Sequence, residues 1–161
     1  MADTIQSLKV EIRVTGLVIG DNGTQQKIDD AYSFSFEDGT GNAQVQTLYK
    51  AQRSLNNTNE DLDLVGSSIK DFQGQNLAFA KLKMLLLKNN STTSGDDMTL
   101  SQSASNGVPI GVAAGDGLHT GSEGLILIIN PNEGFTVTGS TGDLVNVALD
   151  HNGSYKILAA G

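Results

Sequence analysis

The chain has 161 residues, with 38% hydrophobic residues, 19 glycines, 10 Lys+Arg against 18 Asp+Glu, and no cysteine. This size and composition fit one globular domain rather than two domains or a disordered chain. A net charge of −8 repels phosphate backbones and sets nucleic acid aside as a partner. The lack of thiols excludes disulfide frameworks, thiolate metal sites and cysteine nucleophiles.

The N-terminal residues Met1–Ser7 are polar and acidic, without the basic stretch and apolar core of a secretory leader. The longest glycine-free apolar run, Leu125–Ile129, falls far short of the ~20 residues a membrane-spanning helix needs. Synthesis in a cytoplasm, with no membrane as partner, is the expectation. Asn-x-Ser/Thr sequons at Asn22, Asn56, Asn89, Asn90 and Asn152 are then by-products of a chain rich in Asn, Ser and Thr.

In chain order, Leu8, Val10, Ile12 and Val14 alternate with Lys9, Glu11 and Arg13. That period of two predicts a strand with one wet face, broken at Gly16 and followed by a turn at Gly20-Asp21-Asn22-Gly23. Tyr32, Phe34 and Phe36 predict a second strand, ending at Asp38-Gly39, and Val45, Thr47 and Tyr49 a third. Asn56–Asn59 reads as a polar loop, and Leu62–Val65 leads to a break at Gly66.

The stretch Asn76–Lys88 has the Leu, Ala, Lys and Met content of a helix, but Ala80–Met84 alternates as a strand does, and strand is the preferred reading. Met98 and Leu100 mark a further strand, and Gly111–Gly124 is a glycine-rich loop. Leu125–Ile129 reads as a central strand buried on both faces. Gly134–Gly139 holds a short strand. Val145, Val147 and Leu149, then Tyr155, Ile157 and Ala159, predict a closing hairpin about the Asn152-Gly153 turn.

The expected fold is all-β: a single β-sandwich over residues 1–161, with about eight to ten short antiparallel strands and a flexible N-terminal arm at residues 1–7. Charge divides unevenly along it. Residues 1–88 hold nine basic and eleven acidic residues, and residues 89–161 hold Lys156 against seven acids. The division suggests two surfaces meeting different neighbours.

Each candidate chemistry has a plainer reading beside it. His119 and His151 are the only histidines. Although Asp150 precedes His151, adjacent strand-end residues point to opposite faces, so neither histidine is expected to form a triad. Asp61-Leu62-Asp63 and Asp96-Asp97 lack both the spacing of a calcium loop and aromatic platforms for glycoside hydrolysis. Solvated turn acids explain them. The loop Gly111–Gly121 has neither the Gly-Lys-Ser/Thr of a phosphate loop nor the spacing of a dinucleotide fingerprint; packing against another chain is the simpler role. Lys81, Lys83 and Lys88 read as an exposed face that discourages edge pairing. No catalytic, cofactor-binding or metal-binding residue is assigned, and the expectation is a protein without enzymatic activity.

Three groups of segments carry a resemblance: Ala31–Thr40; Leu77–Lys83 with its apolar extension to Asn89-Asn90; and Pro131-x-x-Gly134-Phe135-Thr136-Val137, followed by Gly142–Val145 and Tyr155–Ile157. In this order they resemble virion structural proteins of tailed bacteriophages, particularly jelly-roll capsid decoration (cement) proteins, over about half the chain. The resemblance implies a protein on the outer surface of the capsid, bound to the major capsid protein and to itself as a homo-oligomer, most often a trimer. Such proteins bridge shell subunits and have no catalytic residues to carry over. On that reading the N-terminal residues reach the shell and the acidic C-terminal part faces solvent. The competing readings are a neck, tail or fibre-associated virion protein and a carbohydrate-binding β-sandwich module. The absence of Trp weighs against the second, and two histidines without a His-x-His pair weigh against a cupin-like metalloenzyme.

Overall fold

The computed structural model describes residues 5–19, 21, 23–71, 73–112 and 116–161. Among them are thirteen β-strands and no helix. Strands β1 (Leu8–Ile19) and β2 (Gln25–Asp38) form a long antiparallel hairpin, with the short β3 (Gln44–Val45) parallel to the end of β2. Strands β4 (Leu48–Asn56), β7 (Met84–Asn89), β10 (Leu125–Ile129) and β13 (Asn152–Ala160) build one antiparallel sheet in the order β10-β7-β13-β4. A second antiparallel sheet has the order β5-β12-β8-β9, from β5 (Asn59–Asp63), β8 (Met98–Gln102), β9 (Gly117–Thr120) and β12 (Leu144–Leu149). The short strands β6 (Lys81–Leu82) and β11 (Phe135–Thr136) pair with each other.

Alternate residues of the two four-stranded sheets meet in one apolar cluster. Leu85 and Leu87 of β7, Ile126 of β10, and Tyr155, Ile157 and Ala159 of β13 come from the first sheet. Leu62 of β5, Met98 and Leu100 of β8, and Val145, Val147 and Leu149 of β12 come from the second. The other face of the first sheet is also covered in part. Met84, Leu127, Ile129, Leu158 and Ala160 form a second cluster with Leu8, Val10, Phe34, Phe36 and Val45 at the base of the hairpin.

Several expectations change. The strands number thirteen rather than eight to ten, β1 and β2 are not short, and β3 runs parallel to β2. Gly16 does not end β1; it stays in the ladder opposite Ile28. Of the strand expected over Asn76–Lys88, only the part from Lys81 on is strand, interrupted at Lys83; Asn76 forms only an isolated bridge with Lys70, and the loop after Gly111 contains β9. Within the turn expected at Gly20–Gly23, Gly20 and Asn22 lie outside the described residues, as do Ala113–Gly115 of the glycine-rich loop and Met1–Thr4 of the N-terminal arm.

Two corrections concern pairing. The final two strands are not a hairpin: β12 pairs with β5 and β8, while β13 pairs with β4 and β7. The chain turns at Asp150-His151, and Asn152 and Gly153 already lie opposite Asn56 and Leu55 in the ladder. Inward alternation is the same whether two strands pair side by side or belong to different sheets across a core, so periodicity does not distinguish the two. Gly153 is needed for another reason: a Cβ there would lie 2.5 Å from the His151 ring. Strand β10 is an edge strand rather than a central one, with Leu125 51% exposed. Its run is continuously apolar because Ile126 faces the main cluster while Leu127 and Ile129 face the hairpin base.

Candidate interaction surface

The β1–β2 hairpin is amphipathic from its base to the level of Val14, and toward the tip both faces carry exposed apolar side chains. Cross-strand partners in an antiparallel ladder point to the same side, so the register Val10↔Phe34, Ile12↔Tyr32, Val14↔Asp30, Gly16↔Ile28 and Val18↔Gln26 defines one face. The opposite face carries Lys9, Glu11, Arg13, Lys27 and Asp29, tied by Lys9–Glu11 and Arg13–Asp29 ion pairs at 2.7 and 2.8 Å. The apolar face is covered only at its base. Beyond it, Val14 is 50%, Val18 52% and Tyr32 58% exposed, while Leu17 and Ile19, also exposed, lie on the opposite face at the tip. A stripe of this kind without a cover is the usual mark of a contact surface.

The second feature lies on the outer face of the β10-β7-β13-β4 sheet. The row Lys50, Leu158, Leu86, Leu127 runs across it, and the next row is Gln52, Lys156, Lys88, Leu125. An open groove of about 490 Å³ lies here, with Leu86 and Leu158 as its apolar floor and Lys50, Gln52 and Lys156 among its walls. Lys88 and Lys156 stand directly opposite each other, an arrangement that costs stability unless an anion neutralises it. Neither has an acidic partner within ion-pair distance among the described residues.

The polar cluster around Glu60 is knit by hydrogen bonds in a way that suits structure. Arg53 of β4 donates from Nε to both oxygens of Glu60 on β5, at 2.8 and 2.9 Å, and from Nη1 to the Tyr49 hydroxyl at 3.1 Å. Tyr155 donates its hydroxyl proton to Glu60 at 2.7 Å. These bonds link the edges of the two sheets. Burial resists ionisation of Glu60, but the hydrogen bonds from Arg53 and Tyr155 outweigh it and hold the carboxyl below its ordinary range. The hydrogen bond to Glu60 raises the Arg53 pKa, and burial raises that of Tyr155.

His151 and Asp150, expected to diverge, touch within the corner, with Nδ1 3.1 Å from the carboxylate. Its Nε2 is buried without a hydrogen-bond partner, 4.0 Å from Asp96. The hydrogen bond with His151, and then the Asp97 N–H, holds the Asp150 carboxyl below its usual range. Ser91 is engaged with Asp96 rather than with the imidazole. His119 sits on β9 with Nδ1 2.8 Å from the Thr99 hydroxyl.

Asp61 accepts from Asn146, and Asp63 accepts from the Val65 and Gly66 N–H groups. No group of three or more metal-ligating side chains occurs among the described residues. The expected exposed row Lys81–Lys83–Lys88 is not a row: Lys83 is 2% exposed and donates to the Gly41 and Gln44 carbonyls. Burial, with Lys81 nearby, lowers its pKa. Asn89, the first residue of its sequon, is fully buried, with the side-chain amide bonded to the Asp96 and Gly121 carbonyls.

No protein-family model, curated protein sequence or solved structure matches this chain. The surfaces themselves therefore carry the functional argument. Sequence reasoning found the alternating residues of the hairpin but read them as half-buried. The expected break at Gly16 hid the length of the hairpin, whose strands of 12 and 14 residues exceed the usual five or six and outrun the body they pack on. The lysine pair was invisible, since its members are 68 positions apart in sequence.

Proposed function

We propose that this protein is a non-enzymatic virion protein that decorates the outer surface of a tailed-phage capsid. It binds the major capsid protein and itself, as a trimer, and bridges neighbouring subunits. The observation that carries this reading is the amphipathic hairpin, whose apolar face runs on past the body that covers its base. A protein that works by contact needs such a surface, and many weak contacts of this kind gain strength when a bridging protein engages several subunits at once.

The finer fold assignment, a jelly-roll sandwich, draws support from strand order. Taking β4, β5, β7, β8, β9, β10, β12 and β13 as eight successive strands, the sheets contain the first, eighth, third and sixth, and the second, seventh, fourth and fifth. This is the order of a double Greek key, an architecture found among viral capsid proteins, lectins and cupins. Among the described aromatic side chains only Tyr32 is exposed, and it lies on the hairpin stripe, which favours protein contact over sugar stacking.

The test is to add the purified protein to capsids assembled without it. Saturable binding, in numbers comparable to the shell subunits and with raised heat resistance of the shell, supports decoration. Binding at one vertex only moves the protein to the neck or tail, and no binding overturns the capsid reading.

A further inference from the structure

We propose that the hairpin of one copy lies in the outer-face groove of a second copy, its apolar stripe on Leu86 and Leu158 and its Asp30 against Lys88 and Lys156. The inference rests on the reading of this chain as a self-associating structural protein, and names where the association occurs.

Four observations converge on it. The hairpin base already packs on this same sheet, over Met84, Ala160 and one side of Leu158, so the groove is the open continuation, from Leu158 onward, of a surface that fits such a stripe. Among the residues from Ile12 to Tyr32 on the apolar face, Asp30 is the single charge, and it has no ion-pair partner among the described residues. The groove presents the opposite pattern, an apolar floor edged by lysines without acidic partners. Both halves of a complementary pair thus belong to one chain, yet the hairpin's own outer half stays exposed and does not cover its own groove.

Length is adequate. The segment Ile12–Ile19 spans roughly 25 Å at ~3.4 Å per residue, whereas a four-stranded sheet is only about 15 Å wide at ~4.8 Å between strands. Stacking the stripes of two hairpins on each other would bury Asp30 against apolar side chains and leave the lysines uncovered. Insertion into the groove satisfies both. Because each copy offers one hairpin and one groove, the contact propagates from copy to copy and closes as a two-fold pair or a ring.

The chain contains no cysteine, so introduced thiols report the contact directly. Copies carrying Val14→Cys are mixed with copies carrying Gln52→Cys, both positions being exposed, and the mixture is oxidised. The expected result is a disulfide-linked dimer that is abundant in the mixture and scarce in either variant alone. Asp30→Lys should weaken self-association about tenfold, and Lys156→Glu in the same chain should restore it. Linking of Val14→Cys to itself, or no linking in a protein that light scattering finds oligomeric, overturns the hairpin-in-groove contact while leaving the decoration reading intact. A monomer at working concentration also overturns it. Failure to bind shells, measured separately, would instead remove the decoration reading without touching a cross-link that forms in solution.

Discussion

The body and the hairpin use the same residue pattern and reach opposite ends. In β12, Val145, Val147 and Leu149 alternate with partly exposed neighbours, and all three are at most 2% exposed. In β1, Leu8, Val10, Ile12 and Val14 alternate as regularly, yet exposure grows from half-buried at the base to 50% at Val14. The difference lies in what stands opposite. Strand β12 has a second sheet across the core, whereas the outer half of the hairpin has solvent. Alternation declares which face is apolar and is silent about what covers it. An isolated two-stranded hairpin is marginal in water, so the long ladder of β1 and β2 is anchored at one end by the body, and the proposed contact would hold the other.

Substitutions measure that contrast. In urea denaturation of dilute protein, Leu100→Ala in the core is expected to cost about 2–5 kcal/mol through lost burial and a residual cavity. Val14→Ser on the stripe should stay within about 0.5 kcal/mol. Equal losses would mean the outer hairpin is part of the body's cooperative unit.

The Arg53–Glu60 link sharpens the account of the body. Arg53→Met strands a partly buried carboxylate and should cost about 2–3 kcal/mol at neutral pH. Because Glu60 titrates below its ordinary range in the folded protein, its contribution is present above the unfolded carboxylate value, about pH 4.3. That contribution is lost as pH falls through the folded value. Without Arg53, burial is opposed by Tyr155 alone and the carboxyl moves up. The stability gap between wild type and variant should therefore narrow on acidification, as denaturant midpoints from pH 7 to 3 would reveal. A constant gap would mean that lost packing, not charge, accounts for the cost.

Gly153→Ala should cost about 1–3 kcal/mol by forcing the His151 ring aside. In a His151→Ala background the cost should nearly vanish, and thermal melts of the four variants complete the cycle. The smallest effect belongs to the polar face of the hairpin. Arg13→Ala removes an exposed ion pair with Asp29 and should leave the melting midpoint unchanged within error.

Much of this was legible beforehand, in particular ways. The all-β class follows from alternation at Leu8–Val14, Tyr32–Phe36 and Val145–Leu149, because a period of two admits only a pleated strand. Residues 81–89 resolved to strand because alternation and tertiary burial outweighed helix propensity. Where the reading failed, the cause was distance along the chain. The Asn152-Gly153 pair has the chemistry of a hairpin turn, but its strands belong to different sheets, and local sequence holds no information on which strand is the neighbour. Lys83 reads as a surface lysine until Gly41 and Gln44, some forty positions earlier, supply carbonyls for its ammonium.

Spacing and composition alone settle that the chain forms strands, which side chains of each strand seek cover, and that the net charge is acidic. These are local or additive properties, written in spacing and composition. Tertiary structure alone decided which covers were found and which faces were left open. It inserted β13 between β4 and β7, bringing the only lysine of the acidic C-terminal half opposite Lys88 and setting Lys50 and Lys156 along an apolar groove. On this outer face, residues of both parts of the chain stand side by side. Strand pairing is a choice among distant partners made by burial, and it places side chains together according to register rather than sequence order.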